Sequence, residues 1–492
     1  MMNYWRRGMA GFMAVLVTVG MSGCQNTESK NEKEALLDKD NPTTITVWNY
    51  YNGDQLAAFE DLVNTFNETA GAQKGIVVQS VGQGSIDNLV DSLLDSVDEK
   101  AGAQKLPSIV SVYAETAYIL QEKDAIISLD SYFTPEELQE YVPGFLEEGR
   151  FTEGGKLMMF PVFKSTENFV VNETDWKLFA DATGITSESI DSVEDLTAAS
   201  KAYYEWTDSL TPTVAEDGKA LYGRDALANY IYIGAKQLGH EMFKVGEDGV
   251  EVDLDRDTFK TLWDNYYIPY INGYMGAYGS YRSEDMKTGS IIALTGSTSG
   301  TGYIPTSVTN ADDSSYDIQV GIYAPLEFEN AVEHVAVQQG AEYAVLKTSE
   351  AEELASVEFM KWFTDAEQNI EFSINSGYSP VKSEANSEQA IKDAFTVESD
   401  KDTNVLDSLL ISADIFLNKT TYTSKPFDGS KDIRSYLEKT FGDKAAADRA
   451  AVVAAIESGQ SKEEAAAPYS TDEYFDNWFK TVSAQVDSII EK

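Results

Sequence analysis

The chain has 492 residues and a formal net charge of -45 at pH 7, with a sequence pI of about 4.2. This excess of carboxylates would repel phosphate groups, which argues against nucleic acid as a partner. Hydrophobic residues make up 42% of the chain and aromatic residues 11%. That composition supplies enough apolar surface for a sizeable core and excludes a disordered acidic chain.

The N-terminus has the features of a signal peptide. Arginines at positions 6–7 precede an apolar stretch at 8–20 and three residues suited to a peptidase, before the single cysteine of the chain, Cys24. The apolar stretch is too short to be a permanent membrane span, which needs roughly 20 residues. The pattern resembles the lipobox of bacterial lipoproteins, and two acyl chains on Cys24 would anchor it stably to the membrane. The alternative is an ordinary secretory signal.

Residues 24–43 are polar and lack apolar periodicity, so we expect a flexible tether. The remainder is too long for one ordinary core and suits two lobes. We expect the first part of lobe 1 in residues 44–160, most of lobe 2 in 161–340, and a helical region crossing back between the lobes in 341–492. No later stretch is long and apolar enough to span a bilayer.

The first part of the chain alternates between two hydrophobic periods. Strands are predicted at 44–48, 76–78 and 109–112, and helices with one apolar face follow the first two of them. This alternation indicates βαβ units, a mainly parallel sheet and an α/β fold. Ligands of such sheets lie beyond the carboxyl ends of the strands, where residues 48–53 and 113–115 fall.

Further elements follow along the chain. A proline-containing strand is predicted at 158–163, and Ser192 is expected to cap a helix that runs through Trp206. A strand at 291–294 is expected to lead into a Gly/Ser/Thr loop at 295–302. A helix is expected around 359–363, and a turn at 375–381 is expected to lead into an extended segment.

Most catalytic and metal sites are disfavoured. The Gly/Ser/Thr loop lacks the Gly-Lys-Ser/Thr ending of a P-loop and the central serine of a nucleophile elbow, so a surface turn remains an equal interpretation. His240 and His334 lie far apart, which disfavours zinc sites and histidine-dependent triads. The acidic residues around Asp253 imitate an EF-hand but miss its required glycine, so Asp257 is better interpreted as a helix cap. We expect no metal and no cofactor.

Aromatic residues crowd the predicted loops and strand ends, where rings could stack on a sugar. The rings at strand ends are Trp48, Tyr50 and Tyr113, and Glu115 is the nearest carboxylate. Three classes of function stay open: a solute receptor, a surface glycosidase with two facing carboxylates, and an adhesive or scaffolding lipoprotein.

Several segments, taken in order, resemble the extracellular solute-binding proteins of the carbohydrate-importer class, family 1. The resemblance runs from about residue 44 to the C-terminus, and its most specific segments are 112–115, 160–166 and 376–381. Segments 48–53, 293–300 and 339–341 also resemble the glycerol-3-phosphate-binding members.

The resemblance implies a two-lobe periplasmic-binding-protein-like α/β fold with a hinge and a ligand cleft between the lobes. It implies binding without catalysis and delivery of the solute to the membrane subunits of an ABC importer. With the rings at the strand ends included, the predicted ligand contacts are Trp48, Tyr50, Tyr113, Glu115, Ser165, Thr166, Ser297, Thr298, Ser299, Gly340 and Tyr378. The side chains would bond ligand hydroxyls or stack, and Gly340 would offer its amide.

The sequence departs from the family where the ligand would be recognised. Segment 424–430 does not reproduce the phosphate-anchoring arginine of the glycerol-phosphate binders, and Lys425 lacks arginine's bidentate geometry. Val170 and Val171 replace two aromatic residues. A neutral sugar or oligosaccharide is therefore the leading prediction, with glycerol 3-phosphate or another polyol phosphate as the alternative.

Overall fold

A computed structural model of the protein describes residues 36–152, 154–214, 216–246, 249–397 and 403–491. The predicted signal peptide and Cys24 lie outside the described residues. The strands are β1 (Thr43–Asn49), β2 (Ile76–Gly82), β3 (Ile109–Val112), β4 (Glu167–Asn172), β5 (Tyr222–Arg224), β6 (Phe243–Gly246), β7 (Gly249–Val252), β8 (Ala293–Ser297), β9 (Ser307–Thr309), β10 (Ser315–Asp317), β11 (Val320–Tyr323), β12 (Val335–Val337), β13 (Glu342–Val345) and β14 (Thr420–Tyr422).

The α-helices are α1 (Gly53–Glu68), α2 (Ala70–Lys74), α3 (Ile86–Val97), α4 (Ala114–Glu122), α5 (Pro135–Leu138), α6 (Pro143–Glu148), α7 (Glu173–Thr183), α8 (Val193–Ser209), α9 (Leu227–Gln237), α10 (Arg256–Ile271), α11 (Arg282–Lys287), α12 (Glu350–Phe363), α13 (Ala366–Ser376), α14 (Glu388–Val397), α15 (Thr403–Asn418), α16 (Ser430–Glu457), α17 (Lys462–Ala466) and α18 (Asp472–Ile490). Short 3-10 helices cover Ser187–Ser189, Thr298–Tyr303 and Ala467–Tyr469.

Lobe 1 is built on a four-stranded sheet in the order β13-β3-β1-β2. β1 pairs in parallel with β2 and β3, and β13 joins β3 in the antiparallel sense. Ile45, Val47 and Val110 are fully buried, as continuous apolar strands are when helices cover both faces of a sheet. The predicted α/β class is confirmed.

Lobe 2 has a second four-stranded sheet, in the order β11-β4-β8-β5. β4 is antiparallel to β11 and β8, and β5 is parallel to β8. The C-terminal helices complete its core, because Trp263 of α10 packs on Phe441 of α16 and on Trp478 of α18, with ring centroids 5.9 and 4.8 Å apart. The last part of the chain therefore belongs to the interior of lobe 2.

The lobes are joined by segments that pair with one another at the hinge. The N–H of Ser165 donates to the carbonyl of Gln339 at 2.8 Å, and the N–H of Gln339 donates back at 3.0 Å. Lys164 and Ser379 exchange a similar pair of bonds, at 3.0 and 2.7 Å. β12 and β14 add a short parallel pair. These bonds fix the chain behind the space between the lobes, where a hinge rotation would be centred.

Two predicted strands are changed in the structure. Residues 158–163 form extended chain with an isolated bridge from Phe160 to Tyr343, and not a regular strand, since Pro161 has no N–H to donate to a ladder. The strand expected at 291–294 begins at Ala293 and continues to Ser297. The whole of the predicted Gly/Ser/Thr loop at 295–302 is therefore strand or 3-10 helix.

Helix caps and the tether boundary also differ in part. Ser192 caps α8 as predicted, accepting from the N–H of Asp195 at 3.0 Å. The cap of α10 is Asp255 and not Asp257, because the helix begins at Arg256 and Asp255 accepts from the N–H of Thr258 at 2.7 Å. The predicted tether is too long, since Leu37 already packs against the core of lobe 1.

Helices in the described part of the chain include none that combines the length and the apolarity needed to cross a membrane.

Candidate ligand-binding cleft

A cleft of about 390 Å³ lies between the lobes. Lobe 1 contributes the N-terminal ends of α3 and α4, and lobe 2 contributes one face of α9 and of α16. The segment around Gln338 and the residues after β14 form its back. Its lining includes Asp87, Tyr113, Glu115, Glu148, Asn229, Tyr232, Gln338, Gln339, Tyr422, Ser424, Lys431, Arg434 and Glu438. Aromatic rings and polar groups from both lobes thus face a common space, as in small-molecule binding sites.

The lobe 1 wall is set by the end of β3. Tyr113 comes directly after this strand and is the N-cap residue of α4. The residue is 36% exposed. Glu115 lies in the first turn of α4, where the helix dipole favours a negative charge. The structure brings these two predicted residues together at the carboxyl end of the sheet, where the sequence placed them.

A tyrosine cluster lies beside this wall. The phenols of Tyr50, Tyr113 and Tyr378 lie close together, and the rings of Tyr50 and Tyr51 are 5.6 Å apart between centroids. Burial raises the pKa of Tyr378 to about 12 and that of Tyr50 well above its ordinary value. These two phenols are buried beside the wall and do not line the cleft themselves.

The lobe 2 wall contains a polar network centred on Asn229. Arg434 donates to Asn229 Oδ1 at 2.6 Å. Asn229 Nδ2 donates to Glu167 Oε1 and to Gln339 Oε1, each at 2.8 Å. Glu167 also forms an ion pair with Arg224, and both side chains are largely buried. The network joins the cleft wall to the hinge through Gln339.

Arg434 is one of several cleft residues that sequence reasoning missed, together with Glu148, Asn229 and Gln338. Its guanidinium lies 5.4 Å from the ring centroid of Tyr232, within cation–π range, and no carboxylate of the described residues forms an ion pair with it. Segment 424–430 indeed holds no arginine, but Arg434 follows four residues later and faces the cleft. The one feature of the sequence that could have pointed to Arg434 is its position in the first turns of the helix that follows segment 424–430.

Ser165, Thr166 and Thr298 are buried and act within the hinge. Ser165 is held by its backbone pair with Gln339, and Thr298 Oγ1 accepts from the N–H of Thr166 at 3.2 Å. Neither Ser165 nor Thr166 lines the cleft. These residues tie β8 to residues 164–166, the crossing segment that leads from lobe 1 to β4 of lobe 2. A family pattern in sequence does not distinguish this structural role from ligand contact.

The other predicted contacts have different surroundings. Ser297 and Ser299 are partly buried, and their hydroxyls lie 2.9 Å apart, bonded to each other. Trp48 is only 3% exposed and belongs to the lobe 1 core, because it is still part of β1. The Gly340 carbonyl accepts from Lys164 Nζ at 3.3 Å. Of the predicted contacts, only Tyr113 and Glu115 line the cleft. The predicted contacts outside its lining also include Trp48, Tyr50, Ser297, Thr298, Ser299, Gly340 and Tyr378.

Nowhere in residues 36–152, 154–214, 216–246, 249–397 and 403–491 do three or more His, Cys, Asp or Glu side chains form a cluster suited to a metal ion. His240 instead lies 3.2 Å from Asp253.

Solved structures share this architecture. The cyclic α-maltosyl-1,6-maltose binding protein of Arthrobacter globiformis matches with a TM-score of 0.63 and 17% identity, over 90% of this chain and 99% of that one. UgpB of Mycobacterium tuberculosis in complex with glycerophosphocholine matches with a TM-score of 0.65 and 15% identity, over 91% and 99%. An ABC substrate-binding protein of Listeria monocytogenes in complex with cycloalternan matches with a TM-score of 0.62 and 14% identity, over 91% and 100%.

At these identities the structural matches establish the fold, which is that of the two-lobe binding proteins. No curated protein sequence matches the chain. The family model described as bacterial extracellular solute-binding protein matches residues 61–398, which is most of the chain and includes the lobe 1 wall and the hinge. The chain therefore belongs to the family of bacterial extracellular solute-binding proteins.

Proposed function

We propose that the protein binds a sugar or a sugar-like solute between its lobes and delivers it to an ABC importer. The observation that carries this proposal is the pairing of Tyr113 and Glu115 on lobe 1 with Asn229 and Tyr232 on lobe 2, around one cleft at the hinge. The exposed Tyr113 ring offers an apolar face for stacking, and the Glu115 carboxylate suits a ligand rich in hydroxyl groups. The solutes named for the similar structures, maltose derivatives and cycloalternan among them, are of this class.

The site of action would be outside the cytoplasmic membrane. The sequence features around Cys24 support cleavage and lipidation there, which would keep the receptor beside the membrane subunits of the importer. The protein would release its solute unchanged. Support for binding without turnover comes from the family and from the lack of a nucleophile motif in the sequence.

A polyol phosphate is a second candidate, and Arg434 favours it. A guanidinium without a carboxylate partner in a cleft suits a phosphate, which arginine can bind through two parallel hydrogen bonds. The overall charge of the chain opposes an anionic ligand, but at physiological salt this field is screened beyond ~8 Å. Contacts inside the cleft therefore decide between the two candidates.

Titration calorimetry of the tether-free protein distinguishes them. Maltose, maltotriose, glycerol 3-phosphate and glycerophosphocholine would be titrated at two salt concentrations, with Arg434→Met and its rim neighbour Lys431→Met as a matched pair. The sugar proposal expects affinity for a neutral sugar that hardly changes with salt. Strongly salt-dependent binding of glycerol 3-phosphate that Arg434→Met abolishes, with no response to either sugar, would contradict it and establish the second candidate.

A catalytic role is tested on the same samples. Product analysis after prolonged incubation with each solute should find it unchanged. Sustained product release that Glu115→Gln abolishes would overturn the proposal in favour of a glycosidase.

A further inference from the structure

A buried cluster of three charges lies directly behind the cleft. Lys164 Nζ is 2.6 Å from Glu148 Oε2 and 2.8 Å from Glu342 Oε1. The side chains of Lys164 and Glu342 are fully buried, and that of Glu148 is 5% exposed. Lys164 comes from the crossing segment, Glu148 from the end of α6, and Glu342 from β13, so the cluster joins separate parts of the hinge.

The cluster has one cation for two carboxylates. Burying an uncompensated charge is costly, so burial favours the neutral form of a carboxyl group over the charged form. Lys164 and Glu148 are the charged groups that act on Glu342, and Glu342 accepts no other hydrogen bond from the described residues. Burial, with the Glu148 charge adding to it, raises the pKa of Glu342 to about 8 although Lys164 opposes the shift. Glu342 is thus the protonated member near neutral pH.

The two carboxylate oxygens of Glu148 have different surroundings. Oε2 accepts from Lys164 and, at 2.7 Å, from Gln338 Nε2. Oε1 has no hydrogen-bond partner among the described residues, and in contrast to both oxygens of Glu342 it is not sealed in the interior. Glu148 lines the cleft and also a side cavity of about 180 Å³ beside Tyr422 and Lys425.

We propose that Glu148 is a ligand-binding residue, whose Oε1 accepts a hydrogen bond from a hydroxyl group of the solute while Lys164 and Gln338 hold Oε2. A carboxylate fixed by two donors is pre-organised, so little freedom is lost when the ligand binds. Lys164 is a positioning residue in this arrangement and does not touch the ligand. The inference rests on the proposed function, because it takes the solute to carry hydroxyl groups.

The cluster itself offers a matched pair of variants, Glu148→Gln and Glu342→Gln. Each removes one carboxylate and leaves a simple one-to-one ion pair with Lys164. Only Glu148→Gln alters the group that faces the cleft, because the amide that replaces Oε1 there donates where the carboxylate accepts. A merely structural role would make the two variants alike in binding.

Titration of the intact wild-type protein and both variants with maltotriose and with glycerophosphocholine tests the proposal. Glu148→Gln should weaken binding of the recognised solute by about ten-fold or more, as expected for a lost hydrogen bond to a charged group. Glu342→Gln should stay within about two-fold of the wild type. Equal effects of both variants, or no effect of Glu148→Gln, would overturn the role of Glu148 while leaving the proposed function intact. A wild-type protein that binds neither probe would overturn both.

Whether Glu342 is protonated near neutral pH can be tested without a ligand. A carboxyl group whose pKa is raised in the folded state stabilises the fold fully below its unfolded pKa, and this contribution is lost as pH rises towards the folded value. The melting temperature of the unliganded wild type should therefore fall between about pH 5 and 8 more steeply than that of either variant. An identical pH slope in all three proteins would show that Glu342 is not the neutral member and would overturn the arrangement.

Discussion

Two aromatic residues show that a side chain inside a strand and one directly after a strand can have different roles. Trp48 is still inside β1 and packs into the lobe 1 core at 3% exposure, whereas Tyr113 follows the last residue of β3 and remains 36% exposed at the cleft. Both rings were predicted ligand contacts because both are near strand ends. The end of a strand cannot be located to one residue from hydrophobic pattern alone, and here that residue separates core from site.

Replacing Trp48 with Ala should lower the free energy of unfolding by about 3–5 kcal/mol, since it empties a large buried site. Trp48→Phe should keep ligand affinity, because the ring does not line the cleft. Denaturant unfolding and calorimetry measure the two effects, and Leu178→Ala, at a side chain that is 59% exposed, is the control with little expected change. A large loss of affinity in a well-folded Trp48→Phe would return Trp48 to the site.

Removing one hydroxyl group tests the tyrosine cluster. Tyr378 does not line the cleft itself but lies beside Tyr113, which does. Tyr378→Phe should therefore weaken solute binding by no more than about 1 kcal/mol, the usual size of one hydrogen bond, with little loss of stability, because the ring still packs on Phe163 at 4.4 Å between centroids. The control is Tyr343→Phe, which leaves the buried Tyr51 hydroxyl without its partner at 3.1 Å and should cost stability without affecting affinity. The opposite pattern in calorimetry and unfolding would exclude Tyr378 from binding.

Among the secondary-structure elements, changes from prediction occur where side chains bond the backbone. Thr301 Oγ1 donates to the carbonyl of Thr298 at 2.7 Å, and Thr298 Oγ1 accepts from Thr166. These bonds turn residues 298–303 into a 3-10 helix that is attached to the hinge. Composition predicted a flexible loop there, because Gly, Ser and Thr favour turns when no partner is in reach.

The hinge segment depends on a glycine at position 340. Gly340 has φ of 103°, and a Cβ there would lie 3.2 Å from Lys164 Cα and 3.3 Å from the Ser165 nitrogen. Gly340→Ala should therefore lower the free energy of unfolding by about 1–3 kcal/mol through strain and crowding. Gly154→Ala is the matched control, since φ there is 87° with open space around it. Equal losses in unfolding experiments would show that only the backbone angle matters.

On the scale of the whole molecule, neither lobe is a continuous stretch of the chain. β13, α12 and α13 return to lobe 1, whereas α16 and α18 close the core of lobe 2. Each lobe is therefore made of segments far apart in sequence, and the cleft is formed where those segments cross. Any change in the angle between the lobes must alter the cleft, which is the property that a receptor with hinge closure needs.

Localisation is a property of the whole chain and is tested at one residue. Cys24→Ser should release the protein from membranes, because the acyl chains would have no thiol to attach to. Ser22→Ala keeps a small residue before the cysteine and should remain membrane-bound. Fractionation of cells that express each variant measures this, and unchanged membrane association of Cys24→Ser would exclude the lipid anchor.

The sequence by itself determined the α/β class, the two-lobe family and the position of Tyr113 and Glu115. These rest on local signals, namely hydrophobic period, strand ends and short segments in a fixed order, and such signals survive without knowledge of the partners in space. The cap at Ser192 is of the same kind, because its bond joins residues three apart.

Only the tertiary structure decided which distant groups share the cleft. Arg434 meets Asn229 across 205 residues of chain, and Lys164 meets Glu342 in another crossing. The hydrophobic pattern of a helix such as α16 tells which side is buried, but not that its other side faces a ligand cleft. Long-range folding alone placed Arg434 and Glu148 there, since no local interaction along the chain specifies their neighbours.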